Sequence, residues 1–131
     1  MKIYLIVGAP GSGKTWVCNQ LRANYNYLPH DEFPTPKAYI SAIKRLALIS
    51  EKPLLIETPF SVSTYMDQLA VTPVFLIETP EVTQSRYETR ENKPIPKGHL
   101  SRIETYKERA AELNAFSGTS TEILEHLKKI A

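Results

Sequence analysis

The eight residues Gly8-Ala9-Pro10-Gly11-Ser12-Gly13-Lys14-Thr15 constrain this chain more than any other stretch. They match the spacing G-x-x-x-x-G-K-[ST], in which a glycine-rich turn carries the chain from a strand into a helix and wraps its N–H groups around phosphate. The flanks supply that context. Ile3-Tyr4-Leu5-Ile6-Val7 reads as a buried strand before the turn, and Trp16, Val17 and Leu21 follow it at helical spacing. Gly8, Gly11 and Gly13 allow dihedrals that a Cβ obstructs. In such a loop Lys14 reaches the β- and γ-phosphates of a nucleoside triphosphate, and the Thr15 hydroxyl is a ligand for Mg²⁺. The expected nucleotide-binding set is Gly8, Gly11, Ser12, Gly13, Lys14 and Thr15.

The chain has 131 residues, enough for one domain, 1–131, with a single ordinary core. It holds 16 basic and 14 acidic residues and a formal charge of +2. That is too weak to argue for nucleic-acid binding, which calls for a clustered basic face. One cysteine, Cys18, excludes an internal disulfide and fits a reducing compartment. Its place in the first helix suits a small packed residue rather than a nucleophile. No apolar run approaches the ~18 residues of a membrane span. Met1-Lys2-Ile3 enters the first strand directly, so no signal peptide and no membrane contact are expected, and the expected location is cytoplasmic.

Five short apolar segments alternate with helical ones, the pattern of a parallel sheet flanked by helices in an α/β fold. Strands are expected at Lys2–Val7, Tyr25–Leu28, Leu54–Ile56, Val74–Ile77 and Ala115-Phe116. Helices are expected over Lys14–Ala23, Thr35–Ser50, Glu81–Arg90 and Leu100–Leu113. A last helix is capped by Ser120 or Thr121, carries Glu122 in its first turn, and ends at Ile130. Residues 61–70 form a brief helical or irregular connection. The polar, proline-bearing stretch at about 90–99, through Glu91-Asn92-Lys93-Pro94-Ile95-Pro96-Lys97-Gly98-His99, is a candidate lid. Leu-Ile-Glu-Thr-Pro occurs at both 55–59 and 76–80; two buried strands ending in similar turns explain the pair better than a repeat.

Three further features bear on chemistry. Asp31, in His30-Asp31-Glu32-Phe33 at the end of the second strand, is placed to accept the proton of an attacking hydroxyl. A turn-opening, solvated Asp is the alternative, Glu32 the nearest substitute, and His30 a bystander or substrate contact. Glu57, ending the third strand, is a candidate to hold Mg²⁺ through water, with Glu78 as a weaker competitor. Arg86 and Arg90 lie i,i+4 on one helix face just before the candidate lid, with Lys93 and Lys97 beyond. A planar guanidinium suits phosphate oxygens. Surface pairing with Glu88 or Glu91, worth at most about 1 kcal/mol, is the alternative. Arg102 and Arg109, on the next helix, are secondary candidates. Tyr25, Tyr27, Phe33, Tyr39 and Phe60 fall near one side of the sheet, where core packing outweighs base stacking for most of them.

On Gly8–Thr15, Asp31, the Arg86/Arg90 pair and the stretch Arg90–His99 followed by Arg102 and Tyr106, the chain resembles the small P-loop kinases of the polynucleotide-kinase and zeta-toxin type. The resemblance spans nearly the whole chain, though only the phosphate loop is specific. It implies a three-layer P-loop NTPase fold with a five-stranded parallel sheet in order 2-3-1-4-5, ATP with Mg²⁺, and transfer of the γ-phosphoryl group to a hydroxyl. It makes Asp31 the base, Lys14 and Thr15 the phosphate and metal contacts, and Arg86 and Arg90 the lid cations. By the same analogy, backbone groups of Gly118 and Thr119 close over adenine. Glu32-Phe33-Pro34 follow Asp31 where an arginine often stands in that group, and the chain is shorter than most such kinases.

The expected activity is therefore an ATP-dependent kinase acting on a hydroxyl of a nucleoside, a nucleotide or a polynucleotide 5′ end. The alternative is an ATP-binding regulatory or assembly module with slow hydrolysis and no acceptor. Base-specific GTPases use Asn-Lys-x-Asp, and Asn92-Lys93-Pro94-Ile95 lacks its Asp.

Overall fold

The computed structural model describes residues 2–58 and 62–131, so Pro59 and Phe60 lie outside the described residues. The strands β1 (Ile3–Val7), β2 (Asn26–Leu28), β3 (Leu54–Thr58), β4 (Val71–Leu76) and β5 (Phe116–Gly118) form a five-stranded sheet in order β2-β3-β1-β4-β5. Every pairing is parallel. Around it run α1 (Lys14–Gln20), α2 (Pro36–Ile49), α3 (Val62–Gln68), α4 (Pro80–Glu91), α5 (Lys97–Glu112) and α6 (Ser120–Ile130). This is the α/β P-loop NTPase fold, with the strand order that the resemblance implies.

Side chains alternate across the sheet, as the two-residue strand period requires. Ile3, Leu5 and Val7 pack with Leu54, Ile56 and Phe75 against Tyr39 and Ile43 of α2, Tyr65 of α3 and Ile103 of α5. Tyr4, Ile6, Leu55, Val74 and Leu76 face the opposite layer, made of Val17, Cys18 and Leu21 with Ile123 and Leu127 of α6. Central strands buried on both faces need no polar alternation, which is why β1 reads as a continuous apolar run.

Element ends differ from expectation for local reasons. The first helix stops at Gln20 instead of Ala23, because Leu21 N–H turns back to the Cys18 carbonyl at 3.2 Å and Asn24 N–H to the Leu21 carbonyl at 3.0 Å. These tight i→i+3 turns replace the last α-helical turn. The fourth strand begins at Val71, upstream of the expected Val74, and runs through Pro73. That proline is tolerated because β5 pairs only with Val74–Leu76, so Pro73 lies beyond the paired edge on that side. The helix expected from Leu100 begins at Lys97, where Pro96 takes the cap position. The last helix is capped by Thr119 rather than Ser120 or Thr121: its hydroxyl accepts the Glu122 N–H, and the Glu122 side chain accepts the Thr119 N–H. This reciprocal pair satisfies two donors that a helix start otherwise leaves open.

Between α4 and α5 only residues 92–96 are irregular. Asn92 ends α4 in the left-handed region with φ 54. The Ile95 N–H then donates to the Glu88 carboxylate at 3.1 Å, holding the connection against the helix it leaves.

Tyr25 ties the two ends of one layer together. Its ring is fully buried, edge-on to Tyr4 at 5.7 Å, and its hydroxyl donates to the Leu127 carbonyl at 2.6 Å. Burial raises its pKa to about 12. Removing that hydroxyl while keeping the ring isolates one buried hydrogen bond. Tyr25→Phe is expected to lower the unfolding free energy by about 1–2 kcal/mol with an unchanged urea m-value. A variant as stable as the parent in urea titration would show that the bond contributes nothing net.

Candidate active site

After β1 the backbone enters the left-handed region twice, at Gly11 (φ 88) and Gly13 (φ 102). Gly11 has no room for a side chain, and at Gly13 one would press on the tip of the Arg86 side chain. A Cβ on Gly11 would lie 2.7 Å from the Thr83 carbonyl oxygen, and one on Gly13 would lie 3.0 Å from Arg86 Nη1. The loop is thus seated directly against α4. Inside it the Ser12 N–H donates to the Ala9 carbonyl at 3.0 Å, while the buried Ser12 hydroxyl has no hydrogen-bond partner among the described residues.

Lys14 folds back over its own loop. Its ammonium donates to the carbonyls of Gly8 at 2.7 Å and Ala9 at 3.2 Å. Burial lowers its pKa to about 8, against the opposing pull of the Glu57 carboxylate; Arg90 and Arg102 lower it further. A desolvated ammonium beside other cations favours an arriving anion, which relieves both penalties. Thr15 is exposed at the start of α1. A cleft of about 240 Å³ is lined by Gly11, Gly13, Lys14, Thr15, Trp16, Arg86 and Arg90. This chemistry fits a polyphosphate.

Arg86 joins the loop to the end of the sheet. Its Nη1 donates to the Ser12 carbonyl at 2.9 Å and lies 3.5 Å from Glu78 Oε1. Glu78 is 8% exposed and accepts both the N–H and the hydroxyl of Ser120, each at 2.9 Å. One carboxylate therefore holds the start of α6, Arg86 on α4 and, through Arg86, the phosphate loop. Arg90 stays exposed at the cleft rim, with Nε 3.0 Å from Glu91 Oε1 and its guanidinium 5.8 Å from the centre of the Tyr87 ring.

The two copies of Leu-Ile-Glu-Thr-Pro take different places. Glu57 lies within β3, beside Ile6 in register, whereas Glu78 lies past the end of β4. Glu57 is 3% exposed and forms the centre of a polar cluster behind the loop. Cys18 Sγ lies 3.8 Å from Oε2, His30 Nδ1 3.5 Å from Oε1, and the Tyr27 hydroxyl bonds to the same carboxylate. The Glu57 N–H donates to the Tyr39 hydroxyl at 3.3 Å. Burial, and with it the negative Glu57, raises the pKa values of Cys18 and Tyr27; burial also raises that of Tyr39, against the Glu57 N–H bond that lowers it. Cys18 is accordingly a packed, protonated thiol.

Asp31 and Glu32 are exposed on a single 3₁₀ turn, His30–Glu32, and do not line the phosphate cleft. Their neighbour His30 is the member of that turn that reaches Glu57. Gly118 and Thr119 lie at the end of β5, where the Gly118 carbonyl accepts the Ile77 N–H at 2.7 Å and the Thr119 N–H donates to Glu122 at 3.0 Å. Among the described residues, no group of three or more His, Cys, Asp or Glu side chains is placed to hold a metal ion. Mg²⁺ needs no such cage: it keeps several waters and takes few protein ligands when a polyphosphate supplies others. The exposed Thr15 hydroxyl suits it directly, and buried Glu57 only through intervening water.

The structure thus gathers Gly11, Gly13, Lys14, Thr15, Arg86 and Arg90 around one cleft and leaves Asp31 outside its lining. It also brings in three residues with little weight at the sequence level. Trp16 follows the loop at core-like spacing yet is half exposed and lines the cleft. Glu78 resembles any strand-end acid until its partners are seen. Arg102 acts on Lys14 across the fold from α5; no sequence spacing links the two.

Glu78→Ala would strand the Ser120 donors and release Arg86. The expected loss is about 1–3 kcal/mol of stability, reduced from the fully buried case because Arg86 is partly solvated. Glu125→Ala, on the exposed face of α6, should stay within about 0.5 kcal/mol of the parent. Equal urea midpoints for the two variants would remove Glu78 from its central place.

No family model matches the sequence, and no curated protein does. Among solved structures the chain is similar to a tunicamycin resistance protein from Deinococcus radiodurans, with a TM-score of 0.70, 17% identity, and 95% of this chain and 92% of that one covered. It is similar to a gluconokinase from Sinorhizobium meliloti 1021, with a TM-score of 0.65, 19% identity, and 95% and 87% covered. It also matches the shikimate kinase from Acinetobacter baumannii in complex with shikimate, with a TM-score of 0.54, 14% identity, and 99% and 92% covered. At these identities the likeness establishes the fold alone, the α/β P-loop NTPase fold with its five-stranded parallel sheet.

Proposed function

We propose that this protein is an ATP- and Mg²⁺-dependent phosphotransferase that moves the γ-phosphoryl group to a hydroxyl. The observation that carries the proposal is the partly buried Lys14 ammonium, held over the Gly8 and Ala9 carbonyls in a cleft it shares with Arg86 and Arg90. That grouping suits the charge spread over the equatorial oxygens of a transferring phosphoryl group. Two of the structural neighbours are named for kinases of hydroxylated small molecules, gluconokinase and shikimate kinase, which favours transfer over a motor or a GTPase. Within the proposal, Gly8, Gly11, Ser12 and Gly13 enclose the phosphates and Lys14 bridges them. Thr15 holds Mg²⁺, with Glu57 behind its water shell. The ion would supply charge neutralisation at the β- and γ-oxygens.

Asp31 takes the acceptor's proton as its oxygen bonds to phosphorus and the bond to the β-phosphate oxygen breaks, leaving ADP. Exposure on the turn after β2 leaves this carboxylate open to an acceptor. The acceptor class remains the one expected from sequence: a nucleoside, a nucleotide or a polynucleotide 5′ hydroxyl, with sugar acids and cyclic polyols added by the neighbours' names.

Incubation with labelled ATP, Mg²⁺ and a panel of these acceptors is expected to transfer label to one class. Release of inorganic phosphate alone would instead favour a nucleotide-binding module without an acceptor. Lys14→Ala should abolish both ATP binding and transfer. Asp31→Asn should lower transfer by about 10²–10⁴-fold while ATP affinity stays within about threefold. Wild-type transfer by Asp31→Asn would remove Asp31 as the base and turn attention to His30.

A further inference from the structure

A second cleft, of about 330 Å³, adjoins the phosphate cleft and is lined by Gly13, Trp16, Arg86, Ser120 and Thr121. Gly13, Trp16 and Arg86 line both. This second space is therefore open to the nucleoside of a triphosphate seated over the loop. Trp16 is the only tryptophan of the chain, it is 50% exposed, and it belongs to neither packed layer of the core. An exposed indole between two clefts has stacking area to offer.

Most polar groups around this space already have protein partners, and the remaining N–H donors of the Arg86 fork are shared with the phosphate cleft. The N–H and the hydroxyl of Ser120 both donate to Glu78, and Arg86 Nη1 donates to the Ser12 carbonyl. In the adjoining turn the Gly118 carbonyl accepts the Ile77 N–H, and the Thr119 N–H donates to Glu122. Among the lining side chains, Thr121 carries a hydroxyl that both donates and accepts, and so separates an amino group from a carbonyl poorly. Sites that discriminate strongly do so with fixed donors and acceptors, worth 10⁴–10⁵ when mismatched. A stacking surface tolerates any base.

We infer that Trp16 is the platform on which the donor's base stacks, and that the site takes nucleoside triphosphates by stacking rather than by reading the base edge. The inference rests on the donor half of the proposed function and does not depend on any acceptor. It makes adenine and guanine near-equivalent. Base stacking contributes a factor of about 5–150 in affinity beyond the triphosphate alone.

The full chain with Mg²⁺ is titrated with ATP, GTP and inorganic tripolyphosphate, followed by Trp16 fluorescence and by calorimetry. ATP and GTP are expected to perturb the fluorescence and to bind within about fivefold of one another, with tripolyphosphate at least about fivefold weaker than either. By calorimetry, Trp16→Ala should lower ATP affinity to that of tripolyphosphate while leaving tripolyphosphate binding unchanged, and Trp16→Phe should keep most of the difference. Circular dichroism of each variant checks its fold. Discrimination of ATP from GTP beyond about a hundredfold, or an ATP-to-tripolyphosphate ratio unmoved by Trp16→Ala, overturns the inference. If none of the three ligands binds the parent, the donor site itself is wrong and the role of Trp16 goes with it. A failed kinase reading looks different: both nucleotides bind as described, yet no acceptor is labelled.

Discussion

One buried carboxylate sets the geometry that everything at the carboxyl edge of the sheet depends on. Glu78 lies just past β4 and accepts two hydrogen bonds from Ser120 while pairing with Arg86. Arg86 in turn holds the Ser12 carbonyl. A carboxylate this deeply buried is tolerable because its oxygen is surrounded by donors, one of them cationic. The result is a short chain of polar contacts linking α6, α4 and the phosphate loop. It fixes the wall of the phosphate cleft and that of its neighbour through the same atoms.

The loop depends on this wall as much as on its own glycines. Both Gly11 and Gly13 are needed for their left-handed dihedrals, and Gly11 is needed a second time because the backbone of α4 lies where its side chain would be. The second requirement is tertiary. A motif read along the chain shows that glycine is present, but not that the Thr83 carbonyl and Arg86 occupy the space it leaves.

What was legible in the sequence follows the range of the interaction concerned. The apolar run of β1, the Lys14–Thr15 signature and the alternation of strands with helices are local patterns, and the sheet order came with the resemblance those residues carry. Boundaries failed where a neighbour decided them. The fourth strand was expected from Val74, but β4 starts at Val71 and runs through Pro73, which lies outside the segment that β5 pairs. Lys97–His99 looked like loop, but Pro96 caps a helix there. At the site, the sheet edge was legible and the pairings were not. Glu57 and Glu78 share the same pentapeptide, yet one is enclosed by Cys18, Tyr27 and His30 and the other by Ser120 and Arg86. Trp16 was expected in the helical segment with Val17 and Leu21, but Val17 and Leu21, one helical turn apart, define the buried face and turn the indole outward.

The Lys14 ammonium resting on the Gly8 and Ala9 carbonyls has a thermodynamic consequence of its own. The loop meets its ligand already shaped, because an internal cation occupies its acceptors and steadies the turn. For the proposed polyphosphate, binding would be partly an exchange: two of the three ammonium N–H donors already serve these carbonyls, and phosphate oxygens would compete for them. Any measured affinity is the difference between those bonds, smaller than the strength of the new contact alone. A loop shaped in advance lowers the ordering cost of association, so selection among anions would rest on charge and shape rather than on folding of the loop.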